Sequence, residues 1–123
     1  MVSAATTRIN HFNHVQDCIS LLAGETLFHQ GDASDVLYVV KDGEVDLIHD
    51  GRLIETVGPG GIVGEVGVLD DGPRNVTAYA RSDCHLVPVS ENRFMFLVHE
   101  TPTFAFNVMR IMAERLRRMA DHT

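Results

Sequence analysis

The sequence predicts a mainly β fold of the α+β class: a jelly-roll-like antiparallel β-barrel, with a short N-terminal helix before it and helices after it. Three observations lead there. Short apolar segments succeed one another between Thr26 and Val89, separated by turns rich in glycine, proline and aspartate, which is the pattern of many short strands. Asp42-Gly43 and Asp50-Gly51 stand between apolar runs, and such pairs mark tight reversals because glycine takes positive φ without steric cost. Beyond Ser90 the apolar spacing becomes helical. Strands first and helices afterwards is the order of an α+β domain.

With 123 residues the chain has room for one hydrophobic core. The reading is therefore a single domain over 1–123, with an N-terminal helix at about 13–23, the barrel at about 24–89 and C-terminal helices at about 90–121. Val15, Cys18, Ile19, Leu21 and Leu22 recur at helical spacing, and Gly24 is the stop. Strands are expected at Thr26 to His29, Val36 to Val40, Val45 to His49, Arg52 to Val57, Asn75 to Ala80 and His85 to Val89. Ser90 caps a helix through Val98, and Thr101-Pro102 opens a longer one towards Asp121. In that last helix Ala105, Val108, Met109, Met112, Leu116 and Met119 form an apolar stripe. Phe104 and Ile111 widen it, so one side can pack on the barrel while another meets a second copy.

A formal net charge of −7 argues against non-specific affinity for nucleic acid or acidic membranes. Cys18 and Cys84 form no C-x-x-C pair and are too few for a disulfide framework. Met1 to Asn10 has no apolar core of a secretion signal, and no segment approaches a membrane span. The expectation is a cytoplasmic protein with reduced thiols.

The glycine-dense run Gly58-Pro59-Gly60-Gly61-Ile62-Val63-Gly64-Glu65-Val66-Gly67 is open to two readings. Glycines let backbone N–H groups approach an anion, and they also serve barrel corners. The run satisfies neither the dinucleotide fingerprint nor the P-loop, since no Gly-Lys-Ser or Gly-Lys-Thr occurs.

The residues around and downstream of Glu65 decide between them. Gly64-Glu65-Val66-Gly67-Val68-Leu69, then Asp70-Asp71-Gly72, then Pro73-Arg74-Asn75-Val76-Thr77-Ala78 resembles the phosphate-binding cassette of the cyclic-nucleotide-binding domain family, which includes catabolite activators, kinase regulatory subunits and nucleotide-gated channels. Gly24-Glu25, Gln30-Gly31-Asp32, Leu37 to Val40 with Gly43-Glu44-Val45 and Asp83-Cys84 are similar to other family landmarks, the third of these to its central hairpin. The resemblance implies that Arg74 anchors the cyclic phosphate, because a guanidinium stays charged and offers paired donors. It implies that Glu65 accepts a hydrogen bond from the ribose 2′-hydroxyl, and that N–H groups near Gly64, Val66 and Gly67 complete the cradle. Asn75 and Val76 replace the smaller residues usual after the arginine; the Asn75 amide can donate to phosphate, and the added bulk crowds the ligand. Met119 and Ala120 fall where the family covers the base, and neither can hydrogen-bond a base edge, so cyclic AMP and cyclic GMP are both open.

Other chemistries lack their residues. The seven histidines contain no His-x-His pair, and His11 and His14 near the terminus do not make a cupin-type metal site. No serine or cysteine is marked as an activated nucleophile. No enzyme, metal or cofactor is expected. Arg110, Arg115, Arg117 and Arg118 read as a solvated basic face that complements the helix C-terminus. Family regulators continue into a DNA-binding domain and this chain ends at Thr123. The expectation is therefore a cyclic-nucleotide sensor that moves its C-terminal helices, acts on a second copy or a separate effector, and touches neither nucleic acid nor membrane. The alternative is a degenerate barrel that serves as a protein-interaction module without nucleotide.

Overall fold

β-Branched and aromatic residues dominate the segments that pair as strands, and their alternation decides which face each presents. A computed structural model of the protein describes residues 18–121. Its elements are β1 (Ile19–Leu21), β2 (Thr26–Phe28), β3 (Val36–Asp42), β4 (Val45–His49), β5 (Arg52–Val57), β6 (Ile62–Val63), α1 (Glu65–Asp70), β7 (Thr77–Ala80), β8 (Cys84–Ser90), α2 (Glu91–Glu100) and α3 (Pro102–Asp121). Two four-stranded antiparallel sheets result, in the orders β1-β8-β3-β6 and β2-β7-β4-β5. This is the expected jelly-roll arrangement with its C-terminal helices.

The first sheet is buried on both faces. Leu37, Val39, Ile62, Val87 and Val89 pack with Phe94 and Leu97 of α2 and Phe104, Val108 and Ile111 of α3. Their neighbours Val40, Val63 and Leu86 point the other way, into the barrel, where they meet Phe28, Val45, Leu47, Ile54, Val57, Val76, Ala78 and Ala80. The period of two thus sorts one strand's side chains into two cores. Ser90 caps α2 as expected, its Oγ accepting from the Arg93 N–H at 3.2 Å.

Three expectations are corrected. The described part of the expected N-terminal helix holds no helix: Ile19, Ser20 and Leu21 form a strand that pairs with Leu86, His85 and Cys84, because the open edge of β8 needs partners for its backbone groups, and Ala23 lies in a turn. The rest of that helix, including Val15, lies outside the described residues. Asp42-Gly43 is a corner and not a hairpin, since β3 and β4 belong to different sheets. Gly43 there has φ +79, and a Cβ on it would overlap the Asp83 carbonyl oxygen and Cys84. The apolar stripe of α3 is also shifted: Phe104, Val108 and Ile111 are buried, whereas Met109 and Leu116 are 60% and 67% exposed. The cassette itself forms β6 and α1, two elements too short to show a period.

Asp50-Gly51 does form the expected β4–β5 hairpin, with φ of 49 and 79, the left-handed pair of a tight two-residue turn.

Candidate functional site

The cassette is built where β6 ends. Gly64, with φ +80, precedes the first turn of α1, so Glu65, Val66 and Gly67 carry backbone N–H groups that have no partner within the helix. After α1 the chain returns through Gly72 and Pro73 to Arg74, whose backbone is tied to the β2–β3 loop twice. The Arg74 N–H donates to Asp32 O and its carbonyl accepts from Gly31 N–H, both at 2.8 Å. The root of the Arg74 side chain is therefore fixed by a neighbouring turn.

Arg74 is buried, with only 5% of its surface exposed. Its guanidinium lies 4.2 Å above the Phe28 ring and 5.9 Å from the Tyr38 ring, and Nη1 donates to Gly64 O at 3.1 Å. A Cβ on Gly64 would strike that same Nη1, so this position needs glycine for close approach as well as for its φ. Arg74 Nε is buried and has no acceptor among the described residues. Among the described residues no carboxylate forms an ion pair with Arg74; burial pulls its pKa below the usual range, and Tyr38, Asp35, Asp32 and Glu65 oppose that only as nearby charges. A desolvated cation with an unused N–H is suited to an anion.

Glu65 is 3% exposed and belongs to an ion network that runs to the last helix. Arg115 Nη1 donates to Glu65 Oε1 at 2.8 Å, its Nε to Glu55 Oε1 at 2.7 Å, and its Nη2 to Ile62 O at 2.8 Å. Arg118 Nη1 reaches Glu55 Oε1 at 3.3 Å. Burial disfavours the Arg115 charge, but the Glu65 charge and the Glu55 hydrogen bond and charge outweigh it, so the group is held protonated more firmly than usual. This corrects the solvated basic face. Arg115 is 7% exposed and Arg118 turns inward with it, while Arg110 stays outside, stacked 5.0 Å from the Phe106 ring, and Arg117 is exposed.

The structure brings together Gly64, Glu65 and Arg74 of the seven expected residues. Val66 is half-buried in α1. Gly67 serves packing, since a Cβ on it would overlap the Ser34 side chain. Asn75 lends its carbonyl to His49 Nδ1 at 2.9 Å, and Val76 joins the barrel core. Met119 and Ala120 line a cavity of about 510 Å³ between the β4–β5 hairpin and the end of α3, with Ile54, Leu116 and Arg52. Sequence reasoning misses Phe28, Tyr38, Glu55 and Arg115. For Arg115 a signal existed: it continues the buried series Phe104, Val108, Ile111 at helical spacing. Among the described residues no cluster of His, Cys, Asp and Glu is placed to hold a metal, and no helix is long and apolar enough to cross a membrane; His11 and His14 lie outside those residues.

A two-sheet jelly roll with a short helix set into a glycine-rich turn, a buried arginine after it and helices at its C-terminal end is the architecture of a ligand-binding barrel domain. The comparison with known families states the class: residues 18–101 match the cyclic nucleotide-binding domain, and the chain belongs to that family. It is 35% identical to the cyclic AMP receptor protein of Thermus thermophilus, over 76% of this chain and 46% of that protein. It is 30% identical to lysophospholipase NTE1 of Chaetomium globosum, over 92% of this chain and 8% of that enzyme. The solved catabolite activator protein of Thermus thermophilus superimposes with a TM-score of 0.75 and 32% identity, covering 86% of this chain and 52% of that one. The chain thus spans under half of these two curated relatives, one named as a receptor and one as an enzyme.

Proposed function

We propose that the domain senses a 3′,5′-cyclic nucleotide, cyclic AMP or cyclic GMP, and transmits its presence through α3. The observation that carries this reading is the buried Arg74 Nε, which has no acceptor among the described residues, beside the glycine turn that starts α1. A cyclic phosphodiester supplies a permanent charge and acceptor oxygens to that N–H. The Asn75 amide and the first N–H groups of α1 add donors. Glu65 accepts from the 2′-hydroxyl, the one sugar hydroxyl a 3′,5′-ring leaves free, which shares its carboxylate between the ligand and Arg115. That sharing couples the ligand to α3, and hydrogen exchange along α3 with and without nucleotide reads the coupling.

The output leaves by α3. Its outward positions Phe106, Met109, Ala113, Leu116 and Ala120 follow one another at alternating spacings of three and four, the seam of a two-stranded coiled coil. Phe106, Met109 and Leu116 are 53%, 60% and 67% exposed. A homodimer through α3, or a separate effector docking there, receives the signal in the cytoplasm. In this reading the domain is regulatory and not catalytic, and it contacts neither nucleic acid nor membrane.

A second reading, an interaction module that binds no nucleotide, is favoured by one observation: Glu65 already has Arg115 as a partner. Titration calorimetry separates the two. The sensor binds cyclic AMP or cyclic GMP, and Arg74→Ala loses ~2–5 kcal/mol, about thirty-fold to several thousand-fold in affinity. No heat with either nucleotide on the unaltered chain leaves the interaction module.

A further inference from the structure

The chain buries two arginines in opposite ways. Arg115 is surrounded by acceptors on Glu55, Glu65 and Ile62. Among the described residues Arg74 has one acceptor, Gly64 O, and its guanidinium face lies over the Phe28 and Tyr38 rings. A guanidinium is weakly hydrated on its faces and strongly hydrated on its N–H edge, so aromatic rings are suitable neighbours for the faces and oxygens for the edge. A ring on its face therefore fixes the plane of the group while leaving the edge free to donate.

We infer that Phe28 and Tyr38 are positioning residues for the anion anchor: they hold the Arg74 guanidinium by its face so that its unused edge is presented to one phosphate oxygen. The inference rests on the cyclic-nucleotide reading of the site. Phe28 ends β2 in one sheet and Tyr38 lies in β3 of the other. Their rings stack at 6.4 Å with 24° between planes, so the platform is anchored in both sheets. Arg74 is thereby fixed at its root by Gly31 and Asp32, at one N–H by Gly64 O, and across its face by the rings.

A fixed edge distinguishes the two exocyclic oxygens of a cyclic phosphate, and replacing one of them by sulfur makes a poorer acceptor on that side only. The test is titration calorimetry of the full chain with cyclic AMP, cyclic GMP, their two phosphorothioate diastereomers and the 2′-deoxy nucleotides. The wild type is expected to prefer one diastereomer. Phe28→Leu, which keeps an apolar residue and removes the ring, is expected to weaken nucleotide binding about tenfold and to bring the diastereomer ratio towards one. Tyr38→Phe, which keeps its ring, is expected to keep the ratio, and ribose selection is expected to survive in both variants. Equal weakening of both diastereomers in Phe28→Leu would mean that the ring only packs, and would overturn the inference while leaving the sensor standing. Wild type that binds nucleotide without diastereomer preference overturns it too, and wild type that binds no nucleotide overturns sensor and platform together. Should Phe28→Leu fail to fold, Tyr38→Leu takes its place. The Arg74 Hε proton resonance adds a measurement that needs no variant: an upfield ring-current shift is expected, and a shift like that of a free arginine refutes the stacked platform.

Discussion

Replacing Arg115 by Met tests the ion network, because it removes one guanidinium from between two buried carboxylates. Glu55 is 1% and Glu65 is 3% exposed, so neither can turn to bulk water when its partner disappears. Arg115 gives the two carboxylates three hydrogen bonds, the third from Nη2 to Glu55 Oε2 at 3.3 Å, and the Arg118 contact with Glu55 survives the change. Removing one partner of a buried pair costs ~3–5 kcal/mol, a large part of the ~5–15 kcal/mol that stabilises a typical domain. Arg118 shields Glu55 in part, which places the expected loss near the lower end, at ~3 kcal/mol. Urea denaturation at neutral pH, monitored by circular dichroism, measures it. The double variant Arg115→Met, Glu55→Leu removes cation and anion together and is expected to recover part of the loss, since apolar replacement of both members is often close to neutral. A loss under ~1 kcal/mol for Arg115→Met, as for an exposed pair, would refute the reasoning. So would an equal loss in the Glu55→Leu background.

Three further outcomes are expected. Glu65→Ala should cost ~1.5–3 kcal/mol in nucleotide affinity, the value of a hydrogen bond to a charged acceptor, and should abolish discrimination against 2′-deoxy ligands in the same titration. Met109→Glu with Leu116→Glu should leave the fold of the single chain intact by circular dichroism, since both side chains are exposed in it, while converting a dimer to monomer in sedimentation and removing the concentration dependence of the melting temperature; a wild type that sediments as monomer at high concentration refutes the α3 seam. Burial, aided by Asp42 and Asp83, raises the Cys84 thiol pKa. The raised value keeps the thiol protonated and unreactive at neutral pH, so iodoacetamide should label Cys84 at the rate of unfolding, as mass spectrometry would follow; labelling as fast as a free thiol contradicts its placement.

Local chemistry made much of the barrel legible. Asp50-Gly51 specifies its own turn because positive φ at two successive residues is a demand that few pairs meet, and Ser90 announces α2 because a hydroxyl before a helix satisfies a free N–H. Arg74 and Glu65 stand out as candidates in the sequence because a cassette of contiguous residues carries its spacing in the chain. The features that escaped depend on distant partners. Ile19 to Leu21 form a strand only because the edge of β8 lies beside them, and in isolation their apolar spacing suits a helix as well. Arg115 resembles its neighbours Arg117 and Arg118 in sequence; its burial follows from Glu55 and Glu65, sixty and fifty residues away. Phe28 and Tyr38 look like ordinary core aromatics until the cassette folds a guanidinium onto them.

The junctions between β8 and the two helices are short, and this has a mechanical consequence. β8 ends at Ser90 where α2 begins at Glu91, and one residue, Thr101, separates α2 from α3. Phe94 and Phe104 meet edge to face at 5.5 Å beside that joint, so the α3 movement proposed above would turn about it, with the helix as its lever. Arg115 lies about 20 Å along the lever from Thr101, at 1.5 Å of rise per residue. A tilt of ~5° about the pivot displaces Arg115 by ~1.7 Å, enough to take a hydrogen bond out of range. In the proposed sensor, hardly any motion at the joint would be needed to let go of Glu65, and the exposed face beyond Arg115 would sweep further still.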